Sequence, residues 1–214
     1  MSLGRIGALR LRLPLLMGLL GGVVPAAAAS PAGDAISLYK QKRYAEARAA
    51  LEPLAAAEPS NAEAAYFLGM AILRAGGPTS LDSARYWLAK AAKLSPQNED
   101  YLSQYAGACL LIADRDNSFS LALEGRDAMA RAIAEDPGDL EACEGLMRFY
   151  AKAPWPLGDP SKALSLAAEI ARIDPKRGEA AYRSIAEIFE RGGRKEQARH
   201  ASQAAQSLAP SRPP

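Results

Sequence analysis

The sequence predicts an all-α chain, a row of close-packed helical hairpins behind a short leader. Three observations lead there. Hydrophobic residues make up 49% of the 214 positions but aromatics only 7%, which suits helices packed through alanine and leucine. A proline closes one helical pattern after another, at 59, 96, 137, 175 and 210, with intervals of 37, 41, 38 and 35 residues. Twelve positions before each proline stands a small residue: Ala47, Ala84, Gly125, Ala163 and Ala198.

The leader comes first. Arg5, Arg10 and Arg12 precede the apolar run 13–24, followed by Pro25-Ala-Ala-Ala-Ala-Ser30. A basic start, an apolar core and small residues at Ala27 and Ala29 form a secretory signal covering 1–29, cleaved before Ser30. Twelve apolar residues rise only about 18 Å as a helix, too little for about 30 Å of hydrocarbon. No membrane insertion is therefore expected after cleavage, and the expected location is periplasmic or secreted. Removing three arginines leaves 23 Lys and Arg against 24 Asp and Glu. A chain near neutrality has no basic face for nucleic acid.

Residues 30–210 then read as one unit of about five hairpins, approximately 31–60, 61–97, 98–138, 139–176 and 177–210, with 211–214 as a tail. Two antiparallel helices approach closely only where small side chains occupy the crossing. Gly69, Ala84 and Ala91 meet that need in the second hairpin, with Leu68 and Leu88 filling the space beside them. Each proline blocks continuation of a second helix and sets the turn into the next hairpin.

The first hairpin is expected to have lost most of its first helix to the leader, with Asp34 as candidate N-cap, and Pro53 should kink its second helix. The second carries Leu68-Gly69, Ala84, Leu88, Ala91 and Pro96. The fifth carries Tyr182, Ile185-Ala186, Phe189, Ala198, Ala205 and Pro210. This pattern resembles the tetratricopeptide repeat, a helix-turn-helix unit of about 34 residues. The resemblance implies a helical-hairpin solenoid wound as a right-handed superhelix. Leu54 and Ile170 depart from it where a small residue is usual, and Met147 where glycine or alanine is usual. Units two, three and four exceed the standard length by about three, seven and four residues. The surplus is expected between their paired helices.

One such insertion is APWPLGDP, residues 153–160. Helix must stop before Pro154, and Pro160-Ser161 suits a new start. The loop is similar to one in secreted bacterial tetratricopeptide proteins, with Asp159 in place of a second glycine. Trp155 either folds back as a local plug, the favoured expectation, or contacts a partner.

Catalytic and metal chemistry find little support. The sole histidine, His200, shares a face with Gln197, Gln203 and Gln206, and no nucleophile, base and orienting group assemble around it. Cys109 and Cys143 lack further ligands at metal spacing. They are expected as buried free thiols, since their positions along neighbouring helices differ by about two turns, which opposes a disulfide. The stretch 114–118 (DRDNS) fails as a calcium loop because Phe119 replaces the required glycine and Gly125 the bidentate glutamate. Gly76-Gly77 lacks the Gly-Lys-Ser/Thr ending of a phosphate loop. No cofactor is expected.

The resemblance implies that first helices line a concave wall on which partner segments bind. By position the wall holds Glu63, Tyr66, Met70, Leu73 and Arg74, then Asp100, Ser103, Gly107, Leu110 and Leu111. It continues with Glu141, Glu144, Arg148 and Lys152, and ends with Arg183, Glu187 and Arg191. The lysine and asparagine set that clamps a peptide's terminal carboxylate in some relatives is absent. The expected function is a non-enzymatic protein–protein interaction scaffold of the bacterial cell envelope. Tyr66, Met70 and Leu73 would serve as apolar anchors, and Arg148, Lys152 and Arg183 would pair with acids. The same apolar residues could instead pack against the next repeat. An alternative is self-assembly through repeat ends as a homo-oligomer or accessory subunit, since a solenoid needs a polar cap at each terminus.

Overall fold

The computed structural model describes residues 30–77 and 79–209, so the leader, Pro78, Pro210 and the tail lie outside the described residues. Ten α-helices make up the described chain: α1 (Pro31–Lys40), α2 (Tyr44–Ala57), α3 (Ala62–Ala75), α4 (Ser80–Leu94), α5 (Glu99–Asp116), α6 (Phe119–Glu135), α7 (Leu140–Lys152), α8 (Pro160–Ile173), α9 (Pro175–Arg191) and α10 (Lys195–Leu208). They pack as hairpins α1/α2 through α9/α10, and the second helix of each hairpin lies on the first helix of the next. This is the expected all-α, tetratricopeptide-type solenoid.

A side-chain acceptor starts most first helices. Asn61, Asn98 and Asp139 each stand two residues beyond a repeat-closing proline. Their Oδ1 atoms accept from the backbone N–H of Ala64, Tyr101 and Ala142, each at 2.9 Å. Such a cap satisfies an N–H that has no partner inside the helix. Between α8 and α9 a single residue, Asp174, closes one helix and caps the next, accepting from Lys176 and Arg177 at 2.9 and 3.0 Å.

The crossings are closed by the small residues that mark the repeat. A Cβ on Gly69 would sit 2.8 Å from Leu88 Cγ and 3.2 Å from the Ala84 carbonyl oxygen. Ala84, Ala163, Ala198 and Ala205 are all buried, as is Ile170 despite its size. Two large clusters occupy the ends of the solenoid. One joins Leu51, Leu68 and Ile72; the other joins Met147, Ile170, Ile185 and Phe189. Smaller clusters connect them through the third hairpin.

Several expectations need correction. Ser30 rather than Asp34 caps α1, its Oγ accepting from Gly33 N–H at 3.0 Å, and Asp34 lies inside the helix. Pro53 lies inside α2, as expected, and the helix continues past it to Ala57. The third unit has no enlarged loop: α5 and α6 are 18 and 17 residues long, joined only by Asn117 and Ser118. Asn117 adopts the left-handed conformation (φ 52°, ψ 38°), which terminates one helix abruptly enough for Ser118 to cap the next. The fourth unit does have a loop, 153–159, and it bonds to itself. Leu157 and Gly158 donate to the Pro154 carbonyl and Asp159 to that of Tyr150, each at 2.9 Å.

Candidate functional site: a groove between the third and fourth hairpins

α5 and α7 are parallel neighbours, as two polar ties show. Gln104 Nε2 donates to Glu141 Oε1 at 2.7 Å, and Lys152 Nζ donates to Asp114 Oδ1 at 2.6 Å. Between these ties the two helices face each other with glycines, Gly107 and Gly145. A Cβ built on Gly107 would find nothing within 4 Å, whereas one on Gly145 would meet the end of the Met129 side chain. The missing side chain at Gly107 leaves open space in a groove of about 680 Å³, while Met129 fills the place beside Gly145. That volume is in the range of ordinary ligand pockets.

Its lining is mainly apolar: Leu110, Leu111, Phe119, Met129, Phe149 and Leu157, with Pro154 at the loop end. Leu111 and Phe119 are 55% and 57% exposed, and Trp155, beside Pro154, is 90% exposed. Ser103 also lines the groove, only 4% exposed, and its hydroxyl has no hydrogen-bond partner. A buried hydroxyl left in that state is costly unless an occupant satisfies it.

The groove carries charge at defined points. Lys152 is matched by Asp114. Arg148 reaches Glu144 only at 3.7 Å, and Glu144 already accepts Arg177 at 2.8 Å. One carboxylate therefore serves two guanidiniums. Toward the other end, Glu63, Asp100 and Glu141 have no cation within 4.0 Å among the described residues. Partial burial, reinforced by Glu99, Asp139 and Glu141, raises the Asp100 carboxyl above its ordinary value. Burial first, and then Asp100, likewise raises the Tyr66 phenol.

The six expected contact residues do not form one surface. Arg148 and Lys152 line the groove. Met70 is 4% exposed and packed with Leu88 and Ala108, so it joins repeats instead of facing a partner. Leu73 is half-buried against the first core cluster. Tyr66 is half-buried and stacks on Tyr101, with ring centroids 4.6 Å apart. Met70 and Tyr66 thus contact the following hairpin, and Leu73 belongs to the core shared with the first hairpin. Arg183 pairs with Glu179 at 2.5 Å and borders a separate depression between α9 and α10.

Trp155 is not a plug. Leu157 and Ala153 pack against Leu146 and Phe149 in the place expected for the indole. Phe119, Phe149 and Leu157 escaped the sequence reading; the signal available was an aromatic placed directly after the Ser118 cap. Cys109 and Cys143 are buried and free, and burial raises both thiols. No group of three or more metal-ligating side chains occurs among the described residues. No helix among them is long and apolar enough to cross a membrane.

Comparisons with known proteins agree on architecture. Residues 34–99 match the tetratricopeptide repeat family model. A crystal structure of MamA superposes with a TM-score of 0.65 at 21% identity, over 81% of this chain and 93% of that one. YrrB, described as a TPR protein with an unusual peptide-binding site, superposes with a TM-score of 0.66 at 18% identity, over 86% of this chain and 87% of that one. No curated protein sequence matches. At these identities the likeness is one of fold.

Proposed function

We propose that this tetratricopeptide-type solenoid is a non-enzymatic binding scaffold of the bacterial cell envelope, holding a segment of another protein at the α5/α7 groove. The observation that carries the reading is the apolar groove with exposed Leu111 and Phe119 in its lining, and exposed Trp155 next in sequence to the lining residue Pro154. Large apolar side chains displayed together mark an interaction site more often than a bare surface. The peptide-binding site described for YrrB supports the class of activity for this fold. The three-part leader pattern supports the envelope as its location.

A photo-crosslinking amino acid at position 111 of the full chain, expressed in its native cells, tests the reading. The expected result is one or a few defined protein adducts that disappear when Phe119 and Trp155 are both changed to Ala. Adducts that persist in the double variant would remove the groove mouth as the site. Export of the chain with loss of residues 1–29, read by mass spectrometry of the mature N-terminus, tests the location.

A further inference from the structure

The groove is closed at both ends. Gln104–Glu141 spans it at one end and Asp114–Lys152 at the other. Ser103 and Asp114 are eleven residues apart on α5, a rise of about 16 Å. A backbone laid lengthwise would have to break both ties. A backbone crossing α5 and α7 would break neither, and would pass over the open space at Gly107, opposite Gly145 with Met129 packed beside it. Beneath that gap lie Leu110, Met129 and Phe149, with the unpartnered Ser103 hydroxyl in the wall. Arg148 stands one turn from Gly145, and among the described residues the one carboxylate within 4.0 Å of it, that of Glu144, is shared with Arg177.

We propose that the partner crosses the groove at the Gly107–Gly145 gap, inserting one bulky apolar side chain and placing an adjacent Asp or Glu on Arg148. This rests on the partner-binding reading above and specifies its chemistry. The apolar body is held by the groove floor of Leu110, Met129 and Phe149. The acid is selected because Arg148 is under-compensated while Lys152 is already paired. A guanidinium with a free face takes a carboxylate by charge-assisted hydrogen bonds.

The test pans a phage-displayed library of random heptapeptides against the full chain and, in parallel, against Gly107→Leu. That variant fills the gap from a position where nothing lies within 4 Å, and its far-ultraviolet circular dichroism and Tm are checked first to confirm folding. Expected is enrichment, on the unmodified chain alone, of peptides with Leu, Met, Phe or Trp next to Asp or Glu. Synthetic versions should bind Arg148→Gln about tenfold or more weakly. Peptides that bind Gly107→Leu equally well would overturn the crosswise insertion while leaving a partner-binding scaffold intact. Selected peptides with basic neighbours, or indifferent to Arg148→Gln, would overturn the acidic requirement. No enrichment on either protein would overturn both this inference and the broader reading.

Discussion

Asp159 shows how much one side chain can do in a loop of seven residues. Its Oδ1 accepts from the Ser161 and Lys162 N–H groups at 3.1 and 3.2 Å and from the Ser161 hydroxyl at 2.5 Å. The Ser161 hydroxyl first, and then the Lys162 N–H, hold its carboxyl below the ordinary value. A carboxylate depressed in the folded state adds stability above its unfolded pKa, and that addition is lost as pH falls through the folded value. Asp159→Ala should therefore cost about 1 kcal/mol at neutral pH, and the deficit should shrink on acidification below about pH 4. Urea denaturation at pH 7, 4 and 3 measures it; a deficit constant across that range would contradict the cap. The same residue was legible in the sequence only as a departure from Gly-Gly, because a capping role depends on where the preceding loop returns the chain. Trp155 was misjudged for the same reason. Apolar character argued for burial, but Leu157 occupies the place next to Leu146 and Phe149, leaving the indole 90% exposed.

Among the helices, glycines with the same intrinsic cost have opposite roles. Gly107 in α5 faces open space, while a Cβ on Gly178 in α9 would lie 2.3 Å from Ala171 Cα in α8. Gly107→Ala should stabilise by about 0.5–1 kcal/mol through helix propensity. Gly178→Ala should destabilise by about 1–3 kcal/mol because backbone must move. Thermal unfolding of the two variants decides it, and stabilisation of both would show that the α8/α9 contact is loose. The hairpins themselves were readable because a proline and a small residue recur at fixed separation. The lengths within a hairpin were not. Seven surplus residues in unit three entered the helices, since Asn117 in the left-handed conformation permits a two-residue turn. The groove was half legible: Gly107, Leu111, Arg148 and Lys152 fell on the expected wall, but the gap depends on Gly145 and Met129 across a helix pair that no local spacing reveals.

For the molecule as a whole, the two large cores belong to hairpins one and two and to hairpins four and five, with smaller clusters between them. Stability in a stacked array is a sum of local units and their interfaces, so a thin middle separates the ends. Trp87 packs against the first core and reports that end alone. Urea unfolding followed by Trp87 fluorescence in a Trp155→Phe background should give a midpoint different from that by far-ultraviolet circular dichroism. Coincident curves would show a single cooperative unit. The Asp114–Lys152 tie lies at this thin middle, and its side chains are 62% and 63% exposed. Ions in solution weaken attraction between charges so placed. Salt is therefore expected to loosen this one strap between the third and fourth hairpins, while the buried crossings on either side of it stay shut.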